Sequence, residues 1–258
     1  MKYEIQKEGK FKYIETTGSK ETLMLLHGLF GALSNFESIL DEFGTRYNVV
    51  VPILPIYELP IRKVSLSGLV AHVEDFVKFK NIKKVHVLGN SLGGHISLLF
   101  ALSNPKLVSS MILTGSSGLF ENAMGSTFPR RGDYQFIKKK TESTFYDPKV
   151  ATQELVDEVF DIVNDRNKAI RVLATAKSAI RHNVGDKLHT IKAPTLLIWG
   201  NQDEVTPPFV GEKFAELIPN SRLYFVDKCG HAPMMEHPEQ FNKFLNKFLE
   251  DVTNKAKA

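Results

Sequence analysis

The pentapeptide "GNSLG" constrains the fold of this chain more than any other stretch of its sequence. An apolar, strand-like run over 84–88 ends there, and a helix-like run over 92–104 begins directly after Ser91. A strand that turns into a helix this sharply brings two backbones close together, so side chains at Gly89 and Gly93 would clash. The pattern predicts that the Ser91 hydroxyl stands above the strand ends of an open sheet, where such sheets bind their ligands.

Eight short apolar or β-branched runs predict the strands of that sheet. Near-continuous apolar runs such as "TLMLL" and "TLLIW" are typical of strands that are covered on both faces. Helical patterns fill most gaps from the third run onward. This alternation predicts an α/β fold with a mostly parallel, doubly wound sheet that opens with an antiparallel hairpin. The eight runs lie at 3–7, 11–16, 22–26, 47–51, 84–88, 108–114, 195–200 and 222–226.

A long insertion interrupts the alternation of strands and helices. The segment between Thr114 and Thr195 has helical periodicity and no convincing strand, and a structureless loop of that length is unusual in a compact domain. We predict a core domain formed by residues 1–119 and 191–258, and a helical cap over 120–190 inserted between the sixth and seventh strands. Core helices are predicted at 34–43, where Ser34 and Glu37 have capping-box spacing, and at 66–80, 92–104, 208–218 and 238–249.

Composition and charge limit the possible classes of protein. Hydrophobic residues make up 43% and charged residues 24%, as in ordinary globular proteins, and no apolar run is long enough to span a membrane. The net charge of +4 comes mainly from 78–84 and 130–140, which we interpret as solvated surface. We therefore expect neither a nucleic-acid partner nor a membrane partner.

Cysteine usage and the N-terminus both favour a cytoplasmic protein. The single cysteine, Cys229, excludes an internal disulfide, and no Cys/His cluster has the spacing of a zinc site. The N-terminal stretch lacks the apolar segment of a secretory signal. We expect a monomer or homodimer that needs no metal ion and no organic cofactor.

Ser91 needs a base and an orienting acid, because a serine hydroxyl is a poor nucleophile until its proton is removed. "WGNQDEVTPP" places Asp203 just beyond a predicted strand, and "VDKCGHAPMMEHPE" places His231 in the loop after the last strand. The order serine, aspartate, histidine is the one expected for a nucleophile at such a turn. We predict that Asp203 orients His231 and that His231 activates Ser91. The alternative, a phosphate-binding loop, lacks the lysine of a P-loop and the spacing of a dinucleotide fingerprint.

Other candidate side chains fit these roles less well. Glu204 could be the acid, but the spacing from the strand end favours Asp203. Asp227 lies too close to the histidine in sequence, and Cys229 is more typical of a small buried filler than of a nucleophile. Among the histidines, we expect His72, His86 and His95 to be structural, His182 and His189 to be candidates for lining a pocket, and His237 to belong to the entry of the last helix.

With these motifs the chain resembles the α/β-hydrolase superfamily over almost its full length. The resemblance is carried by His27-Gly28, the Ser91 turn, "GNQD" ending at Asp203, and "GH" ending at His231. It implies an α/β-hydrolase fold whose insertion is the family's cap. One departure is the loop after the fourth strand, where relatives usually carry an aspartate and this chain reads "VVVPILPIYELP". The resemblance also implies an oxyanion hole formed by the backbone amides of Leu29 and Leu92, with His27, Gly28, Gly89 and Gly93 supporting the two turns.

A serine at this position implies acyl transfer through a covalent ester, with water as the final acceptor. We expect a carboxylesterase that hydrolyses small or medium acyl esters. "GNSLGG" and "KCGHAPMMEHPEQFN" also resemble meta-cleavage product hydrolases, which cleave carbon–carbon bonds. Those enzymes typically carry an arginine early in the cap, where this chain has Val159, and many have tryptophan where it has Ala232. Arg166, Arg171 or Arg181 could substitute, and a weakly catalytic small-molecule receptor on the same fold is a further alternative.

Overall fold

The computed structural model describes residues 2–18, 20–31, 36–121 and 130–257, without the side chains of residues 20 and 255–257. In these residues eight strands form one sheet in the order β1-β2-β4-β3-β5-β6-β7-β8. The strands are β1 Gln6–Glu8, β2 Phe11–Glu15, β3 Lys20–Leu26, β4 Tyr47–Pro52, β5 Val85–Asn90, β6 Val108–Thr114, β7 Thr195–Gly200 and β8 Ser221–Val226.

The sheet is mostly parallel, as the sequence predicts. β1 pairs with β2 and β2 with β4 in antiparallel fashion, and the other neighbours run parallel. The first strand, predicted at 3–7, begins later, because the tight turn after Glu8 fixes the register that pairs Gln6 with Tyr13. Gly9 adopts φ of +55° in that turn, a conformation that glycine tolerates readily.

Helices cover both faces of the sheet, which confirms the doubly wound arrangement. On β3, Met24 packs with one layer and its neighbour Leu25 with the other, as expected because successive strand side chains point to opposite faces. The α-helices outside the insertion are α1 Glu37–Phe43, α2 Leu66–Phe79, α3 Leu92–Ser103, α7 Pro208–Leu217, α8 Pro233–Glu236 and α9 Pro238–Lys257. The layer on Met24 includes α2 and α3, and the layer on Leu25 includes α1 and α9.

The described residues leave the start of one predicted helix open and extend the end of another. Ser34, one half of the predicted capping box, lies outside the described residues. The last helix, predicted to end at residue 249, continues to Lys257. Its inner side still packs there, because Val252 lies against the core layer that includes Phe248 and Leu249. The polar composition of the final turns hides this continuation in the sequence.

Between β6 and β7 the described residues form three α-helices, namely α4 Tyr134–Glu142, α5 Gln153–Asn164 and α6 Arg166–Arg181. Each begins at a side chain that accepts backbone hydrogen bonds, respectively Asp133, Thr152 and Asp165, as helix N-termini require. Ser178 of α6 accepts a 3.0 Å hydrogen bond from the amide of Leu66, which begins α2. The division into a core and a cap over 120–190 stays a prediction. Among the described helices, none combines the length and the apolar character that crossing a bilayer requires.

Candidate active site

Ser91 occupies a strained turn between β5 and α3. Its φ of 55° and ψ of −118° lie outside the regions that non-glycine residues usually adopt. The backbone around it is fixed by hydrogen bonds: its amide donates to the carbonyl oxygen of Thr114 at 3.1 Å, and its own carbonyl accepts from the amides of His95 and Ser117, both at 3.2 Å. Such strain persists only where the surroundings over-determine the conformation, and it is common at functional sites.

The two glycines that flank the serine are in very close backbone contact with their surroundings. A Cβ atom placed on Gly93 would lie 1.9 Å from the carbonyl oxygen of Leu26, the last residue of β3. A Cβ atom on Gly89 would lie 2.3 Å from the carbonyl oxygen of Gly93. Both of these carbonyl oxygens are backbone atoms and cannot rotate away, so any side chain at Gly89 or Gly93 would push α3 away from the sheet.

Asp203 and His231 form a buried hydrogen-bonded pair. Oδ2 of Asp203 lies 2.9 Å from Nδ1 of His231, and the residues are 3% and 6% exposed. The amides of Val205 and Thr206 donate to Oδ1, each at 2.8 Å, and the Thr206 hydroxyl donates to Oδ2 at 2.8 Å. Burial alone would raise the pKa of Asp203, but the charge of His231 and these hydrogen bonds outweigh it and lower the pKa below its ordinary value. The aspartate is therefore held ionised.

The other ring nitrogen of the histidine has no hydrogen-bond partner within the described residues. Because an ionised Asp203 only accepts, Nδ1 of His231 carries a proton, and in the neutral form of the ring Nε2 carries a lone pair. Nε2 is also buried. The side-chain amide of Asn90, the residue before Ser91, donates to the carbonyl oxygen of His231 at 3.2 Å. The histidine is thus fastened beside the serine turn with a free lone pair.

The turn after β3 is braced by two aromatic side chains. Nε2 of His27 accepts a 3.0 Å hydrogen bond from the amide of Leu54, so Nδ1 carries the proton and donates to the carbonyl oxygen of Gly28 at 2.9 Å. The hydroxyl of Tyr57 donates to the carbonyl oxygen of Leu29 at 2.6 Å. Within the described residues, the amides of Leu29 and Leu92 donate to no backbone acceptor. Two N–H groups therefore stay available near the serine for an anionic oxygen.

The predicted triad and oxyanion-hole residues all follow the carboxyl ends of parallel strands, namely β3, β5, β7 and β8. No hydrogen bond within the described residues joins a side chain of the other candidates to the Asp203–His231 pair. Glu204 is exposed, and Asp227 is exposed and accepts from Gln202 at 3.3 Å. Cys229 is fully buried, and burial raises the pKa of its thiol. The remaining histidines form hydrogen bonds in other parts of the fold or have none described. The hydrogen-bonded pairs are His95 with the carbonyl of His182, His86 with Ser110, His182 with Ser67, and His237 with the carbonyl of Lys228. His72 is buried and His189 is exposed.

Sequence reasoning missed three side chains that hold this site, namely Tyr57, Asn90 and Thr206. A usable signal existed only for Thr206, because an aspartate often accepts hydrogen bonds from amides two and three residues later. Asn90 donates to residues on two distant segments, Thr114 and His231. Tyr57 reaches the turn at Leu29 across 28 residues of sequence. Such long-range contacts leave no local pattern in one sequence.

The arginines of the insertion are engaged or exposed. Nε of Arg171 donates to the carbonyl oxygen of Leu59, and its Nη1 donates to that of Asn167, both at 3.0 Å. Arg166 and Arg181 are exposed.

Burial raises the pKa of the half-buried Glu158 on α5, although the charge of Lys168 opposes this effect. Burial, followed by the negative charges of Glu158 and Glu58, raises the pKa of Tyr57.

A sequence model of the family described as the alpha/beta hydrolase fold matches residues 21–238. A 2-hydroxy-6-oxononadienedioate/2-hydroxy-6-oxononatrienedioate hydrolase from Paraburkholderia phymatum is 31% identical, and the match covers 94% of this chain and 91% of that protein.

Solved structures give a similar picture. An alpha/beta hydrolase enzyme from the metagenome of sediments of the lagoon of Mar Chica, Morocco, is 42% identical and has a TM-score of 0.80, over 96% of this chain and 98% of that chain. A bacterial membrane phospholipase A is 25% identical and has a TM-score of 0.83, over 95% and 83% of the two chains.

Proposed function

Because this chain belongs to the alpha/beta hydrolase fold family, we propose that it is a serine hydrolase whose nucleophile is Ser91, whose base is His231 and whose orienting acid is Asp203. The observation that carries this proposal is the unpartnered Nε2 of a histidine whose Nδ1 is bonded to a buried aspartate 2.9 Å away. Catalytic hydrogen bonds to the nucleophile are often formed only when substrate binds, so a lone pair without a partner is compatible with this role.

Each step of acyl transfer has a group to perform it. Nε2 of His231 takes the Ser91 proton as the serine oxygen attacks the carbonyl carbon, and Asp203 stabilises the imidazolium that forms. The amides of Leu29 and Leu92 donate to the oxyanion, and the amino end of α3 adds its positive dipole. The imidazolium then protonates the leaving alcohol. A water molecule that gives its proton to Nε2 attacks the acyl-serine. The imidazolium then returns that proton to the Ser91 oxygen as the acyl–oxygen bond breaks and the acid leaves.

For the substrate we propose an ester with an uncharged acyl group. A dienoate substrate would need a fixed positive partner for its carboxylate, a task that suits arginine. Arg171 is already engaged by two carbonyl oxygens, and Arg166 and Arg181 are exposed. None of these three arginines offers a fixed positive partner for a substrate carboxylate, which supports a carboxylesterase.

Carbon–carbon bond hydrolysis of the meta-cleavage type is the second candidate. It is favoured by the printed activity of the curated relative from Paraburkholderia phymatum, which shares 31% of its residues with this chain. The same triad could serve that reaction. The two proposals differ in the charge of the substrate: the ester has an uncharged acyl group, whereas the dienoate carries a carboxylate. The experiment therefore compares these two kinds of substrate.

The test compares p-nitrophenyl esters of increasing acyl length with one 2-hydroxy-6-oxo-dienoate, and uses Ser91→Ala as the control. We expect measurable ester hydrolysis, a far lower kcat/KM for the dienoate, and a loss of about three orders of magnitude in Ser91→Ala. A dienoate that is the better substrate by about tenfold or more would favour the second candidate. A single stoichiometric burst without turnover would instead support a receptor on the hydrolase fold.

A further inference from the structure

The loop that carries His231 rests on a segment of the insertion. The amide of His231 donates to the carbonyl oxygen of Thr144 at 2.9 Å. A Cβ atom on the preceding residue, Gly230, would lie 2.6 Å from that same oxygen and 2.9 Å from the amide nitrogen of Tyr146. The backbones of residues 229–232, which we call the histidine loop, and of residues 144–146 are therefore in direct contact.

One side chain joins these two segments. Oε1 of Glu236, the last residue of α8, accepts from the amide of Gly230 at 2.9 Å and from that of Ala232 at 3.3 Å. Oε2 accepts from the amide of Gly230 at 3.0 Å and from that of Tyr146 at 2.7 Å. A single carboxylate thus holds the amides on both sides of His231 and one amide of the insertion.

The chemistry of these contacts requires a carboxylate. Each oxygen of Glu236 faces backbone N–H groups, so both must act as acceptors. A glutamine of the same shape would turn an NH₂ group toward one of those N–H groups and lose at least one hydrogen bond. An aspartate would keep the charge, but it is one methylene shorter and could not reach Gly230 and Tyr146 together.

We propose that Glu236 is a positioning residue that fixes the base His231 relative to Ser91 by tying the histidine loop to residues 144–146. This inference rests on the proposed function, because it gives His231 the role of base. The ring of His231 has Asp203 as a fixed partner through Nδ1, but the direction of Nε2 also depends on where the backbone of residue 231 lies. Displacements of about 1 Å at a reacting group can cost a hundredfold in rate.

The test uses Glu236→Gln, Glu236→Asp and the control Glu239→Gln, which removes the same charge from an exposed position three residues later. For each variant we would measure kcat and KM on a p-nitrophenyl ester, the rate at which a phosphonate labels Ser91, and Tm. We expect kcat to fall about tenfold or more in Glu236→Gln, with KM changed by less than about threefold. Phosphonate labelling should slow by a similar factor, because it also needs the base. Glu236→Asp should be intermediate, and Glu239→Gln should resemble the wild type.

A purely structural Glu236 would give a different result. In that case Tm would fall while the folded Glu236→Gln protein kept its kcat and its labelling rate within about twofold, and the proposal would be wrong. If Glu236→Gln does not fold, Glu236→Asp decides: a reduced kcat at unchanged KM supports the proposal, and a wild-type kcat overturns it. A wild-type protein that neither hydrolyses esters nor labels at Ser91 would overturn the proposed function as well.

Discussion

At the residue scale, hydrogen bonding separates two neighbouring acids. Asp203 is buried and accepts from His231, Val205 and Thr206, whereas Glu204, the next residue, is exposed. The side chains of adjacent residues in this loop therefore have different environments despite the same charge. This contrast makes Glu204 a natural control for the role of Asp203.

We expect Asp203→Asn to lower kcat by about three orders of magnitude or more, because an amide nitrogen can face Nδ1 of His231 and favour the wrong tautomer. KM should change little, since Asp203 is buried behind the histidine and away from substrate. Steady-state kinetics on a p-nitrophenyl ester would measure both constants. Glu204→Gln should leave them near the wild-type values. If the Glu204 variant were the damaged one, our assignment of the acid would be off by one position.

Tyr57 offers a second prediction at this scale. Its hydroxyl donates to the carbonyl oxygen of Leu29, which restrains the residue whose N–H we assign to the oxyanion hole. Tyr57→Phe removes that hydrogen bond, worth about 1 kcal/mol, so we expect kcat to fall about fivefold with KM nearly unchanged. Tyr146→Phe is the matched control, because that side chain is 49% exposed. An equal loss in both variants would argue against a specific role for Tyr57.

At the scale of elements, the strand–turn–helix around Ser91 is the part that the sequence predicts best. Its signals are local, because the glycines, the apolar run of β5 and the start of α3 are contiguous. The positions of Asp203 and His231 just beyond β7 and β8 were also predictable from strand ends. The contacts of Tyr57, Asn90 and Glu236 were not, because each joins segments that only the folded chain brings together. Helix ends such as that of α9 depend on packing in the same way.

The packing of α3 against β3 gives a prediction for an element. Gly93→Ala adds a Cβ atom that would lie 1.9 Å from the carbonyl oxygen of Leu26, so α3 must shift or the turn must distort. We expect the free energy of unfolding to fall by about 1–3 kcal/mol, as for other overpacked sites. Urea denaturation would measure it. Gly185→Ala is the control, because its nearest neighbour would be 3.1 Å away, at a side-chain atom of Asn183, and it should have a smaller effect.

At the scale of the whole molecule, buried histidines couple stability to pH. His95 is fully buried, and its Nε2 lies 2.8 Å from the carbonyl oxygen of His182. Burial lowers the pKa of His95 from 6.5 to about 4. Between these values the unfolded chain binds a proton that the folded protein does not. The contribution of His95 is therefore complete above pH 6.5 and is lost as the pH falls through its folded-state pKa.

We expect this coupling to amount to about 3 kcal/mol, since each pKa unit corresponds to about 1.4 kcal/mol. His95→Gln keeps a donor that can reach the His182 carbonyl and removes the titration. Its stability should lie below that of the wild type near neutral pH, and the gap should shrink by about 3 kcal/mol toward pH 4. Urea denaturation at several pH values tests this. His189→Gln makes the same substitution at an exposed site and controls for the change of residue type itself. A gap for His95→Gln that is independent of pH would contradict the prediction.

The order of the strands along the chain also has a consequence for the protein while it is being made. Ser91 follows β5, near the middle of the sheet, whereas His231 comes after β8, the last of the described strands in chain order. A nascent or truncated chain that ends before β8 can contain the serine, its turn and the segment 144–146, but it lacks His231. The proposed triad is therefore assembled only after residue 231 has been made, and we expect chains truncated before β8 to lack the proposed hydrolase activity.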